Sequence, residues 1–202
     1  MSILFDDFVS WREHCSSHDA LLFQPVLEYE REQKGRNEEE IWEGLGKAYQ
    51  VMKEAVKTGL EEDMTSGSGM INNGAKKVYK NPITVLSIEF QQLISRALAA
   101  KEVNSCMGRI VAAPTAGASG ILPGTLVTLQ DIHQLDDRKI LEGLLVGAGI
   151  GLIIEKKASV SGAVGGCQAE TGSAAAMASG AIVYCLDGNI NQVFNAVAIT
   201  IQ

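Results

Sequence analysis

The sequence predicts an all-α, multi-helix globular domain with close glycine-mediated helix packing and glycine-rich active-site loops. Apolar side chains recur every three or four residues in several segments, and no segment shows the convincing alternation of a β-strand. Glycine accounts for 21 of the 202 residues and aromatic residues for only 5%, which favours a core of small side chains and close backbone approach. Hydrophobic and charged residues, at 46% and 20%, are typical of a globular protein and not of a disordered or collagen-like one.

The charge distribution divides the chain. The net charge of −7 argues against nucleic acid as a partner, because phosphate binding needs a basic surface. Residues 1–65 carry 15 acidic and 7 basic side chains, whereas residues 66–202 carry 9 and 10. We therefore interpret the chain as one domain over residues 1–202, with a solvated, acidic helical lead-in at 1–60, and expect any chemistry to lie in the near-neutral remainder, 61–202.

The sequence also predicts a cytoplasmic protein that does not use a membrane as a partner. The first residues, MSILFDDFVSWREHC, have acids where a signal peptide needs positive charge. The longest strongly apolar stretch, residues 143–154, is too short to span a bilayer. The four cysteines show no C-x-x-C pairing, so a disulfide framework is not expected.

The first predicted helix opens at Asn37, which forms a capping-box pattern with Glu40. Apolar residues then recur at helical spacing from Ile41 to Leu60, and residues 61–64 close the element. The small polar run that follows, TSGSGM, predicts a loop.

Two further helices and a loop are predicted next. A helical run starts after Pro82, and a short helix over residues 102–113 is ended by Pro114. Residues 115–124, TAGASGILPG, are interpreted as a loop because glycine and proline interrupt them.

The remaining chain predicts three helices. The first runs from Asp136 or Asp137 to Ile154, with glycine at every fourth position, and a glycine loop over residues 158–167 leads into the second. The last, Ile190–Ile201, is strongly amphipathic and has no glycine, asparagine or basic last turn to close it. We therefore expect the natural chain to continue beyond residue 202.

Several common motifs are absent or weak. There is no phosphate-binding G-x-x-x-x-G-K-[ST] loop and no G-x-S-x-G, and Gly147, Gly149 and Gly151 lie in a helical pattern that favours helix packing. His14 and His18 share a helical face, but without a third ligand we interpret them as part of a solvated helix rather than a zinc site.

Three glycine-containing loops, at residues 66–69, 115–120 and 159–166, are candidates for anion binding. Such loops expose backbone N–H groups that can hold a carboxylate. The alternative, that they only connect close-packed helices, stays open at this point.

Cys167 is the most suggestive single residue. It follows two glycines and opens a helix, where unpaired N–H groups and the helix dipole stabilise the thiolate that binds iron or acts as a nucleophile. Cys185 lies 18 residues further on, about 27 Å along a continuous helix, so the two cannot share a metal, and we predict that Cys185 is core. Cys106 stays undecided.

Two long strings resemble a known family. EVNSCMGRIVAAPTAGASGILPG (residues 102–124) and ASVSGAVGGCQAETGSA (residues 158–174) look like the signature of the iron–sulfur-dependent L-serine dehydratases, α chain. They occur in the order and separation of that family, and AVAIT (residues 196–200) also fits. The resemblance covers about residues 60–202, and residues 1–60 are only generally similar.

The resemblance implies a mainly helical catalytic domain that holds a [4Fe–4S] cluster and converts L-serine to pyruvate and ammonia. It also implies a role in amino-acid catabolism and gluconeogenesis, and a serine dehydratase β chain or domain as partner. Cys167 matches the first cluster cysteine of the family. The other two family cysteines lie in a C-D-P…P-C motif beyond residue 202, so these residues alone are not expected to hold a complete cluster.

The resemblance and the loops together suggest the substrate-binding residues. The candidates are Ser66, Ser68, Asn104, Thr115, Gly117, Ser119, Ser161 and Gly162. The catalytic base is not identified, and Lys101, Lys156 and Lys157 follow helical runs as solvated charges, which argues against a pyridoxal-phosphate route. An iron–sulfur L-cysteine desulfidase and a non-catalytic helical partner chain remain alternatives, and homo-oligomer formation is left open.

Overall fold

The computed structural model describes residues 6–81 and 83–202, and every regular element in these ranges is a helix. An isolated bridge between Thr65 and Asn72 is the one β-type pairing found there. The predicted all-α class is confirmed. The helices are α1 (Phe8–His18), α2 (Gln24–Lys34), α3 (Glu38–Glu61), α4 (Gly74–Lys80), α5 (Ile88–Ser105), α6 (Ile121–His133), α7 (Asp137–Lys157), α8 (Gly162–Cys185) and α9 (Ile190–Ile201).

The chain divides into two compact units. One contains the residues up to Lys47 together with Asp137–Gln202, and the other contains Ala48–Asp136. The single catalytic domain with a division after residue 60 stays a prediction. No helix in the described part of the chain is long and apolar enough to cross a membrane.

The first unit is built on α7, α8 and α9. Helix α7 packs along α8, and α8 packs along α9. The approach is close at Gly143, where a methyl group would overlap the Cys185 sulfur, and at Gly180, where it would overlap the side chain of Ile150. These glycines therefore leave room for side chains of the neighbouring helix to lie against the helix backbone.

Helix α1 corrects the interpretation of the first third as merely solvated. Trp11 is fully buried, and its indole N–H donates to the Leu22 carbonyl over 3.1 Å. Its ring lies against Gly149 on α7, where a methyl group would come within 2.6 Å of it. The His14 and His18 rings stack with their centroids 4.4 Å apart. The apolar pattern of the sequence does not show this buried face, because it depends largely on one aromatic residue, Trp11.

The second unit is built around α5. Helices α4 and α6 pack against it, and Gly59 of α3 approaches it so closely that a methyl group would overlap the Ala99 backbone. A methyl group on Gly124 of α6 would lie 2.5 Å from the Ala97 nitrogen. Small residues thus bring α3 and α6 onto α5.

Several predicted boundaries are confirmed. The backbone N–H of Asn37 donates to Glu40 Oε2 over 2.9 Å, the reverse bond to Asn37 Oδ1 is also 2.9 Å, and α3 ends at Glu61. Helix α9 begins after Asn189, which forms a second capping box with Gln192. Helix α7 starts at Asp137 as predicted but continues to Lys157, one turn further than expected.

The helix expected directly after Pro82 starts later. Pro82 itself lies outside the described residues. Helix α5 begins at Ile88, because the Ser87 side chain accepts the Phe90 N–H over 3.2 Å and caps it. A turn from Ile83 to Leu86 precedes the cap.

The separate helix predicted over residues 102–113 is wrong. Helix α5 continues to Ser105 and stops there, because Met107 is left-handed at φ 63°. The N–H groups of Met107 and Gly108 then donate to Asn104 and Val103, over 3.1 and 2.8 Å, which is a Schellman cap. The loop predicted over residues 115–124 is also too long, since α6 begins at Ile121 and tolerates a proline in its first turn.

Candidate functional site

Helix α8 contains a break that gives Cys167 its position. Gly166 has φ 76° and ψ 178°, a conformation open essentially to glycine alone. Residues 162–165 form a helical turn before the break, which corrects the prediction of a loop there. Cys167 is the first residue after the break and is exposed, so it stands at the start of the long segment of α8 as predicted.

Ser161 and Gly162 lie in the turn before the break. The Ser161 carbonyl accepts the Val164 and Gly165 N–H groups over 3.1 and 2.9 Å, while its own N–H donates to Ser159 Oγ over 3.1 Å. Ser161 thus organises the turn through its backbone, and its side chain forms no cap.

Glu170 reaches back across the break. A methyl group on Gly162 would lie 2.8 Å from both Cδ and Oε2 of Glu170, so the carboxylate rests against the turn that precedes Cys167. Sequence reasoning missed this residue. The sequence could have indicated it, because Glu170 is the one Asp, Glu, Lys or Arg between Lys157 and Asp187.

The other cysteines differ from Cys167 in environment. Burial raises the pKa of the Cys185 thiol to about 12 and that of the Cys15 thiol to about 11. Cys185 is buried, as predicted for a core residue, and Cys106 is partly buried in the other unit. Cys185 therefore stays a protonated core thiol, whereas Cys167 is exposed.

The implied cluster can be compared with these donors. An iron–sulfur cluster is held by several cysteine thiolates, and an exposed thiol at a helix start suits one of them. Within residues 6–81 and 83–202 no three His, Cys, Asp or Glu side chains are grouped to hold a metal ion. Among the described residues, Cys167 is thus the one donor whose position suits a cluster ligand.

In the other unit, Asn104 ties the end of α5 to the glycine loop that follows it. Asn104 Nδ2 donates to the Ala116 carbonyl over 2.9 Å, and the Ser119 N–H donates to the same carbonyl over 3.3 Å. Gly117 lies in this loop, half-buried. Asn104 therefore holds the backbone of residues 115–120 in place.

Two hydroxyls of this loop are buried without a partner. Neither Thr115 Oγ1 nor Ser119 Oγ has a hydrogen-bond partner in the described structure, and Ser119 is fully buried. Leaving a buried hydroxyl unpaired costs about 1–3 kcal/mol. Such groups call for an explanation, and a bound polar ligand is one.

The loop over residues 64–73 uses its hydroxyls internally. The Ser66 and Ser68 hydroxyls lie 3.2 Å apart, and Ser66 Oγ accepts the Ile71 N–H over 3.1 Å. Met64 and Asn73 close the loop, through Asn73 N–H to the Met64 carbonyl at 3.0 Å and Met64 N–H to Asn73 Oδ1 at 2.7 Å. The loop is thus a preformed unit.

The predicted residues fall into two sets, one in each unit. The first set lies on the loops next to α4, α5 and α6, and the second lies around the break in α8. The sets are Ser66, Ser68, Asn104, Thr115, Gly117 and Ser119, and Ser161, Gly162 and Cys167.

These features define a helical protein with two buried, unpartnered hydroxyls in one loop and an exposed cysteine at a helix start. Residues 17–202 match the family model described as Serine dehydratase alpha chain. The chain belongs to the serine dehydratase alpha-chain family, and the resemblance seen in its sequence is confirmed.

Individual relatives agree with the family match. The chain is 38% identical over 190 residues to the L-serine dehydratase, alpha chain, of Peptoniphilus asaccharolyticus, with 93% of this chain and 65% of that one aligned. It is 35% identical over 185 residues to the probable L-serine dehydratase, alpha chain, of Bacillus subtilis, covering 90% of this chain and 61% of that one. For an L-serine dehydratase of Streptomyces coelicolor the identity is 35% over 184 residues, 88% of this chain and 40% of that one. The chain thus spans between 40% and 65% of the length of these relatives.

Proposed function

We propose that this chain contributes to an L-serine dehydratase, an enzyme that removes water from L-serine to give pyruvate and ammonia. The observation that carries the proposal is the family match, which covers all three glycine-containing loops and Cys167. The relatives, which are named L-serine dehydratases or their alpha chains, support the same activity.

The reaction breaks two bonds of serine. The Cα proton passes to a base, and the hydroxyl leaves Cβ with its electron pair and is protonated to water. The aminoacrylate that forms tautomerises to an imine, and a second water hydrolyses the imine to pyruvate and ammonia. The protein must therefore bind the carboxylate, remove one proton and assist the leaving hydroxyl.

For binding, we assign the loop at residues 115–120 to the substrate carboxylate. Thr115 Oγ1 and Ser119 Oγ lack partners in the described residues, and hydroxyls donate well to a carboxylate. Asn104 fixes the loop through Ala116 and so sets the position of both hydroxyls. Ser66 and Ser68 lie on the second loop of the same unit.

For the leaving hydroxyl, we propose a [4Fe–4S] cluster with Cys167 as one ligand and Ser161 and Gly162 beside it. When bound, the cluster would supply an iron with an open position that acts as a Lewis acid. Cys167 supports this role because it is exposed at the start of a helical segment, whereas Cys15 and Cys185 are buried.

No base is assigned for the Cα proton. Glu170, the one carboxylate in the uncharged stretch around Cys167, lies beside the turn at Gly162.

We further propose that a β chain or domain completes the enzyme and that it acts in the cytoplasm. The enzyme would serve amino-acid catabolism and the supply of pyruvate for gluconeogenesis.

The proposal is tested with the product of the complete gene, with its β chain where one exists, purified without oxygen. Pyruvate from L-serine and sulfide from L-cysteine are measured side by side. We expect pyruvate formation from serine to dominate. Faster sulfide release from cysteine would instead assign an L-cysteine desulfidase, and no product from either would assign a non-catalytic partner.

A further inference from the structure

Glu102 is a buried carboxylate that the proposed reaction does not use. It is 5% exposed and is the one charged residue buried among those the structure describes. Its Oε1 accepts the Gly74 N–H over 2.9 Å and the Ala75 N–H over 3.2 Å. Its Oε2 is also buried and has no partner within the described ranges. Burying a carboxyl group with one oxygen unpaired costs free energy, so the position is poorly explained by packing alone.

The two N–H groups that Glu102 binds belong to the exit of the loop at residues 64–73. Gly74 follows directly on Asn73, which closes that loop onto Met64. A methyl group on Gly74 would lie 2.8 Å from Glu102 Oε1, so the contact also requires glycine there. Because the loop is a preformed unit, fixing its exit fixes the position of Ser66 and Ser68.

The same end of α5 holds the other loop. Glu102 binds the exit of residues 64–73, and two residues later Asn104 binds the Ala116 carbonyl of the loop at 115–120. Residues two positions apart on a helix, such as Glu102 and Asn104, point in clearly different directions. One turn can therefore bind two separate partners. The last turn of α5 is therefore the common anchor of both candidate substrate loops.

We propose that Glu102 is a positioning residue that sets the serine-bearing loop at residues 64–73 relative to the loop at 115–120. Its carboxylate is inaccessible, so it acts through Gly74 and Ala75 and not on the substrate. The inference rests on the proposed function, because the two loops matter together only if they bind L-serine.

The test uses two variants that separate reach from charge. E102Q keeps the side-chain length and an acceptor oxygen, whereas E102D keeps the charge but shortens the side chain by one methylene. D63N is the control, because it removes the exposed ion pair between Asp63 and Lys76, which also joins this loop to α4. All are made in the product of the complete gene.

Two readouts are combined: hydrogen exchange of the Gly74 and Ala75 amides, and KM and kcat for pyruvate formation from L-serine. For E102D we expect at least tenfold faster exchange and a KM at least tenfold higher, with kcat changed less than threefold. E102Q and D63N should stay within threefold of wild type in both. If E102D does not fold, G74A displaces the carboxylate from the other side and should give the same KM defect.

The outcomes separate the two claims. An active wild type with an unchanged KM in E102D or G74A overturns the positioning role alone. A KM raised in E102Q but not in E102D overturns it too, because charge and not reach would then matter. A wild type that forms no pyruvate overturns the proposed function and this inference with it. Wild-type exchange rates of the Gly74 and Ala75 amides in E102D would overturn only the claim that Glu102 holds these two amides.

Discussion

Replacing Gly166 by alanine tests the break that presents Cys167. The backbone at Gly166 adopts φ 76° and ψ 178°, and a side chain in this region costs about 1–3 kcal/mol. A methyl group there would meet no atom within 4 Å among the described residues. The whole effect of G166A must therefore come from backbone conformation and not from a clash.

Gly172 is the matched control on the same helix. It is helical, and a methyl group there also meets nothing within 4 Å. Alanine in a helix interior is favoured over glycine by about 0.5–1 kcal/mol. G166A and G172A should thus change the free energy of unfolding in opposite directions, with a difference of about 1.5–4 kcal/mol between them.

The assay is equilibrium urea denaturation of wild type, G166A and G172A, followed by far-ultraviolet circular dichroism. We expect a lower midpoint for G166A and a higher one for G172A at unchanged slope. A G166A protein as stable as G172A would mean that residue 166 is helical. In that case α8 is continuous and Cys167 does not stand at a helix start.

Three further predictions concern single side chains. S119A removes a buried hydroxyl without a described partner, so stability should stay equal or rise by about 1 kcal/mol while KM for L-serine rises. Thermal melts and pyruvate assays check this, and a large loss of stability with unchanged KM would contradict it. Without a cluster, iodoacetamide at neutral pH should modify exposed Cys167 at least about 100-fold faster than Cys15 or Cys185, because burial raises the pKa of both to about 11 and 12. Peptide mass spectrometry gives the rates, and equal labelling of all three would refute the packing. Because Cys15 and Cys185 keep their protons to higher pH when folded, stability should fall as pH rises from about 9 to about 11, by up to about 1.4 kcal/mol per pKa unit. Urea titrations at both pH values test the sign, and a rise would contradict it.

The sequence predicted elements whose signals are local. The capping box at Asn37 and the amphipathic pattern of α9 depend on residues within one or two turns, and both helices form as expected. The end of α5 was not predicted because it depends on Met107 adopting a left-handed conformation. Glycine or asparagine at this position would have indicated a helix end, whereas methionine does not.

The candidate site shows the same limit. Cys167 could be placed at a helix start because two glycines precede it in the sequence. The contacts of Glu102 and Glu170 could not be found in this way. Glu102 contacts residues 27 and 28 positions away, and Glu170 contacts Gly162 only because the helix breaks between them. Contacts of this kind are set by tertiary packing and not by periodicity.

The most direct test of the central claim measures iron and pyruvate in the same sample. Wild type, C167A and C15A, each made as the product of the complete gene with any β chain, are purified and reconstituted without oxygen. The account predicts that wild type and C15A bind iron and convert L-serine to pyruvate, whereas C167A loses both. Iron and pyruvate formation retained in C167A would contradict the assignment of Cys167 to the cluster.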